Sequence, residues 1–103
     1  MNSNFTLKLK VTWFKNFLGL AIDQVSLNQK YFLTSYYFWP KTDAWEQLKS
    51  ELDAKPWLTT REKNKILKNV SEVMNYWLSY RDNAAFENFK EKFPEVEVTI
   101  LTD

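Results

Sequence analysis

The polar and apolar positions fall into two periods along the chain. Phe5, Leu7, Leu9, Val11 and Trp13 alternate with Thr6, Lys8, Lys10 and Thr12, a period of two that predicts a half-buried strand with a Lys/Thr face. Lys15-Asn16 suits a hairpin turn, after which Leu18, Leu20 and Ile22 alternate again, with Gly19 and Ala21 opposite. Small residues there would let something pack closely on that face. Residues 26–32 (SLNQKYF) are polar and expected to be loop. A third strand is expected from Leu33 to Trp39, stopped by Pro40, which has no N–H to donate.

The period then changes. Asp43 with Glu46 three residues on makes a capping box, and Trp45, Leu48 and Leu52 follow at helical spacing, which predicts a helix over 43–54 ended by Pro56. Thr59 and Glu62 form a second box, and Ile66, Val70, Val73 and Trp77 mark a long helix over 60–80. Asn83 or Asp82 would cap a third helix with Phe86, Phe89 and Phe93 inward, closed by Pro94. Val96, Val98 and Ile100 alternate with Glu95, Glu97 and Thr99 as a last strand. The order β-β-β-α-α-α-β predicts an α+β fold. Its sheet is antiparallel or mixed, with about four strands, three N-terminal and one C-terminal. About three helices lie between strands three and four and pack on one face. No repeat or linker divides the chain, so residues 1–103 are taken as one domain.

Composition narrows the chemistry. There is no cysteine and no histidine, which excludes disulfides, cysteine nucleophiles, thiolate zinc sites and imidazole triads. No DxDxDG-type loop is present, and no segment converges Asp, Glu, Lys or Tyr, so neither a metal, a cofactor, a small-molecule substrate nor an enzyme activity is expected. No apolar run reaches the roughly 18 residues of a membrane span. MNSNFTLKLK carries neither a signal core nor a transit-type segment, so a complete product working where it is made is expected.

The net charge of +1 is unevenly spread. Residues 1–41 carry five lysines against Asp23, and residues 61–70 carry Arg61, Lys63, Lys65 and Lys68 against Glu62. Residues 71–103 carry three bases against seven acids. A generic polyanion binder would be more basic, yet two local basic blocks fit a small, placed contact. Arg61, Lys65 and Lys68 sit at i, i+4 and i+7 on one helix face, with Lys63 alongside, next to a helix N-terminus that favours phosphate. A solvated polar face is the alternative. Glu95 and Glu97, alternating outward, are placed to face Lys8 and Lys10.

The densest feature is TSYYFWPKTDAWEQL, where Tyr36, Tyr37, Phe38 and Trp39 run into Pro40. In a strand, Tyr37 and Trp39 point one way and Tyr36 and Phe38 the other. One pair enters the core; the other either packs under a loop or is presented to a partner. Base stacking on a strand uses such aromatics, but the RNP1 pattern of RNA-recognition sheets is absent.

The run TSYYFWPKTDAWEQLKSELDAKPWL resembles the plastid-specific ribosomal protein three family of the small ribosomal subunit in chloroplasts and cyanobacteria. The likeness rests on the aromatic-Trp-Pro corner (Tyr36 to Pro40), the DAWE helix start (Asp43 to Glu46) and the KPW turn (Lys55 to Trp57). AIDQV, NYW and EKFPEV extend it over nearly the whole chain. The resemblance implies a non-catalytic ribosomal component that binds small-subunit ribosomal RNA and neighbouring ribosomal proteins, in the plastid stroma or a cyanobacterial cytoplasm. The RNA-contact candidates are then Arg61, Lys63, Lys65 and Lys68, helped by Lys41 and by Lys8 and Lys10. The partner-contact candidates are Tyr36, Phe38, Pro40 and Trp57. A free protein-binding adaptor using the corner around Pro40 is the competing reading.

Overall fold

The computed structural model describes residues 5–27, 29–80 and 86–100. Five strands and three helices follow one another as β1 (Thr6–Trp13), β2 (Leu18–Ser26), β3 (Gln29–Phe32), β4 (Tyr37–Trp39), α1 (Ala44–Asp53), α2 (Thr60–Tyr80), α3 (Phe86–Lys92) and β5 (Glu97–Ile100). β1 and β2 form the expected hairpin, closed by the Phe14 N–H donating to the Phe17 carbonyl at 3.1 Å. β5 returns parallel to β1, with Lys10 opposite Glu97, so the sheet is mixed. The expected α+β architecture is present, and the helices pack on one face. That face takes Leu9, Val11 and Trp13 from β1 and Leu18, Leu20 and Ile22 from β2, residues that sit opposite one another in register.

Two expectations about strands are corrected. Residues 26–32 are not a loop: β2 runs on to Ser26, and Gln29–Phe32 pairs antiparallel with Asp23–Ser26. Leu27, with φ 53, opens the reversal between them. All four residues of β3 are exposed, so no inward set signals a strand. The expected strand over 33–39 shrinks to Tyr37–Trp39, which pairs with Leu18–Leu20. Thr34 causes the break. Its hydroxyl accepts the Ile22 N–H at 2.9 Å, while the N–H groups of Leu33 and Thr34 both reach the Ile22 carbonyl at 3.1 Å. A side chain thus stands in for one rung of the ladder. β3 and β4 lie in line along the same edge of β2, and the sheet order is β3-β2-β1-β5 with β4 beside β2.

The helix starts form as expected. Asp43 accepts the Glu46 N–H at 3.2 Å. The Thr59 hydroxyl accepts the Glu62 N–H at 3.1 Å, while Glu62 accepts the Thr59 N–H at 2.9 Å, which is a reciprocal capping box. The proposed cap at Asp82 or Asn83 lies outside the described residues. Ile66, Val70, Val73 and Trp77 are buried along one stripe of α2. The Trp77 indole donates to the Phe14 carbonyl at 2.8 Å, joining α2 to the hairpin. Phe89 and Phe93 turn inward, and Phe89 meets Trp13 edge-on at 5.4 Å. Trp45 bridges α1 to α2 by donating to the Leu67 carbonyl at 3.1 Å.

Candidate nucleic-acid interface

Successive residues of an α-helix are turned by about 100°, which separates the four bases of α2 into two groups. Arg61, Lys65 and Lys68 are exposed on one side, and none makes an ion pair among the described residues. Lys63 points toward α1, where its ammonium meets Asp53 at 3.2 Å. Lys49 holds the other oxygen of Asp53 at 2.8 Å. The hydrogen bond from Lys49, then that from Lys63, keeps the Asp53 carboxyl below the usual carboxylate range. Lys63 therefore ties α1 to α2, while the other three remain available to an anion.

β5 covers β1 only from Lys10 to Trp13, so among the described residues the edge of Thr6–Leu9 has no strand partner on that side. A groove of about 510 Å³ opens there, and Lys8, Lys65 and Asn69 line it together with Glu62 and Glu95. Lys8 thus joins the helix stripe, and Glu95 shares the groove with it as expected. Glu97 does not pair with Lys10. It takes Lys30 instead, at 3.2 Å.

Lys10 lies elsewhere, on the face of the sheet turned away from the helices. Its ammonium is 3.0 Å from Asp23, whose side chain is fully buried. The second Asp23 oxygen has Lys30 at 4.0 Å. Lys10 also lies over the rings of Phe32 (4.6 Å) and Tyr36 (5.2 Å). The chain Lys10, Asp23, Lys30, Glu97 links β1, β2, β3 and β5 across one face.

The aromatic corner divides as its alternation requires. Tyr37 and Trp39 turn to the helix side. Trp39 meets Trp77 at 5.6 Å, and the Tyr37 hydroxyl donates to Glu51 at 2.6 Å. That hydrogen bond, then burial, raises the Tyr37 pKa above its ordinary value. Tyr36 and Phe38 turn to the other face, each 40% exposed, with ring planes 16° apart. Pro40 and Lys41 are exposed beside them, and with Asn16, Phe17 and Phe38 they line a hollow of about 510 Å³. Trp57 is exposed in a different place. It donates to Gln24 at 2.9 Å and lines a hollow near Tyr31 and Lys55. The four proposed partner contacts thus form two patches.

Phe17, Phe32 and Lys30 escape the sequence reading. Phe17 flanks the hairpin turn, where no period applies, and Phe32 and Lys30 sit in the segment read as loop. Only the register Asp23 to Phe32 reveals that Phe32 shares a face with Asp23.

The chain also resembles known proteins over most of its length. The profile of a family described as plastid and cyanobacterial ribosomal protein (PSRP-3 / Ycf65) matches residues 33–80, the stretch holding the aromatic corner, α1 and α2. The chain is 45% identical over 93 residues to a small ribosomal subunit protein cS23 of Gracilaria tenuistipitata var. liui, covering 90% of this chain and 92% of that one. It is 42% identical to the protein of that name from Cyanidium caldarium, covering 86% of this chain and 80% of the other. A probable small ribosomal subunit protein cS23 of Synechococcus sp. (strain JA-2-3B'a(2-13)) is 39% identical, with 85% and 89% covered.

Proposed function

Because the chain belongs to the plastid and cyanobacterial ribosomal protein family (PSRP-3 / Ycf65), we propose that it is a structural, non-catalytic component of the small ribosomal subunit, in the plastid stroma or the cytoplasm of a cyanobacterium. The observation that carries this reading is the near full-length likeness to proteins named for that subunit. On this reading the chain binds ribosomal RNA and touches neighbouring ribosomal proteins.

The geometry suggests how. Arg61, Lys65 and Lys68 repel one another along a single helix face, and a phosphate backbone laid along them would relieve that. Lys8 extends the row across the groove, and the amino-terminal end of α2 adds its partial positive charge. Lys10 and Lys63 hold the fold together and are assigned no RNA contact; Lys41 belongs to the aromatic face. Contacts to phosphates position a protein without reading sequence, which suits a chain whose net charge is only +1.

Sedimentation through a sucrose gradient tests the role. Co-migration with small subunits at moderate salt is expected, whereas protein found only at the top of the gradient would overturn it and favour the adaptor reading. The stripe has its own test. Each neutralised phosphate changes log K by about −0.7 to −0.9 per unit of log salt. The Lys65→Gln, Lys68→Gln double variant should therefore bind subunits more weakly, with a salt slope about 1.4 to 1.8 units shallower. An unchanged affinity and slope would make the stripe a solvated face.

A further inference from the structure

The sheet face turned away from the helices carries a row of rings. Phe14 stacks on Phe17 at 4.0 Å, Phe17 meets Phe38 edge-on at 5.6 Å, and Phe38 lies nearly parallel to Tyr36 at 6.3 Å. Lys10 then sits between Tyr36 and Phe32, over both rings. Phe32 is 82% exposed.

The chain has a single glycine, and it is used here. A Cβ at Gly19 would come 3.0 Å from the Cε1 atom of Phe38. The missing side chain lets the Phe38 ring lie close against the sheet, and the ring is still 40% exposed.

Among the described residues, the two acids on the strands of this face have lysine partners, while Glu95 shares the groove with Lys8. Asp23 is matched by Lys10, and Glu97 by Lys30. Lys41, beside Phe38, makes no ion pair among the described residues, and neither does Lys8 on β1. The strand residues on this side are otherwise small or polar. Register places Thr6, Thr12, Gly19, Ala21 and Val25 there, with no leucine, isoleucine or methionine. Protein interfaces are also rich in aromatic rings, so it is the unmatched lysines that favour a polyanion here. Rings in a row with unmatched lysines suit unstacked bases on a phosphate chain.

We propose that this face is a stacking platform for single-stranded ribosomal RNA, with Phe38, Tyr36 and Phe32 receiving bases and Lys41 and Lys8 holding the adjoining phosphates. The proposal rests on the ribosomal reading above and adds a second RNA surface to it. Lys8 belongs to both, because its register puts it on this face while it lines the groove with Lys65. An RNA strand crossing the uncovered edge of β1 would meet the helix stripe on one side and the rings on the other.

Leucine in place of a ring tests the proposal, because it keeps apolar bulk but has no π-face. Stacking is worth about 1–3 kcal/mol per base, and 1.4 kcal/mol is a factor of ten. The Tyr36→Leu, Phe38→Leu double variant, shown by its melting curve to be folded, should bind small subunits at least about tenfold more weakly with an unchanged salt slope. Ultraviolet cross-linking of intact subunits should map adducts to Phe32, Tyr36 or Phe38. Parental affinity in the leucine variant, with binding lost in Phe38→Ser, would mean that a protein docks here and would overturn the proposal. Adducts confined to α2 would also overturn it while leaving the ribosomal role standing. Absence from the subunit altogether would instead count against the role itself.

Discussion

Replacing Asp23 by asparagine removes one charge from a fully buried site and almost nothing else. In the structure, the Lys10 ammonium lies 3.0 Å from the carboxylate, and the Lys10 side chain is only 12% exposed. At an effective dielectric of about 20, two unit charges at that distance attract by about 5.5 kcal/mol. Desolvation of both groups offsets much of this, so the pair adds little over a well-packed apolar pair. Removing one member is different, because the other stays buried without a counter-charge, which costs about 3–5 kcal/mol in deep sites. Here the Lys10 side chain keeps 12% of its surface in water, which brings the cost toward the low end of that range. The expected loss is therefore about 3 kcal/mol, or a fall in Tm of about 10–20 °C for a domain of this size. Thermal unfolding followed by circular dichroism reads it. The Asp23→Leu, Lys10→Met double variant should recover most of the loss. A fall below about 4 °C in Asp23→Asn, equivalent to roughly 1 kcal/mol, would refute the idea that this pair is cut off from water.

Two further outcomes are expected. Trp45→Ala should lose about 3 kcal/mol, the low end for a large aromatic because Trp45 is half-buried, while Trp45→Phe should lose about 1 kcal/mol with the indole's hydrogen bond, the Leu67 carbonyl keeping its helical partner; an unaltered urea midpoint would make Trp45 a contact residue instead. Tyr37 has a raised folded-state pKa, so its stabilising effect is complete below the unfolded value of 10.0 and is lost as pH rises through the folded one; Tyr37→Phe should therefore lose less stability than the parent above pH 10, measured as the difference between their denaturation midpoints.

The helical half of the molecule is legible from residue spacing because its signals are local. Asp43 with Glu46, and Thr59 with Glu62, are each three residues apart, and their bonds form as the spacing implies. The alternation in β1 and β2 is equally plain, since one side of each faces a core. β3 is silent because neither of its sides is buried. The break at Thr34 is silent for another reason, since a hydroxyl replacing a ladder rung leaves no periodic trace. The candidate surface suffers most from this. Lys10 and Lys63 look like their neighbours in sequence, and only the positions of Asp23 and Asp53 show that they are engaged. The ring row is assembled from three separate segments, and its continuity depends on the pairing of Phe32 with Asp23 and of Phe38 with Gly19, which no periodicity announces.

The parallel pairing of β5 with β1 joins the two ends of the chain. A ribosome makes β1 well before β5, so this side of the sheet waits until all three helices between them have been made. Until then, β1 has β2 on one flank and open backbone on the other, a template for pairing with another chain. Closing so wide a loop is also slow, since its entropy is lost before the ladder forms. A chain arrested before Glu97 therefore presents a ready edge with the apolar row of Leu9, Val11 and Trp13 beside it. Truncated forms should fail by aggregation well before the helices lose their own local order.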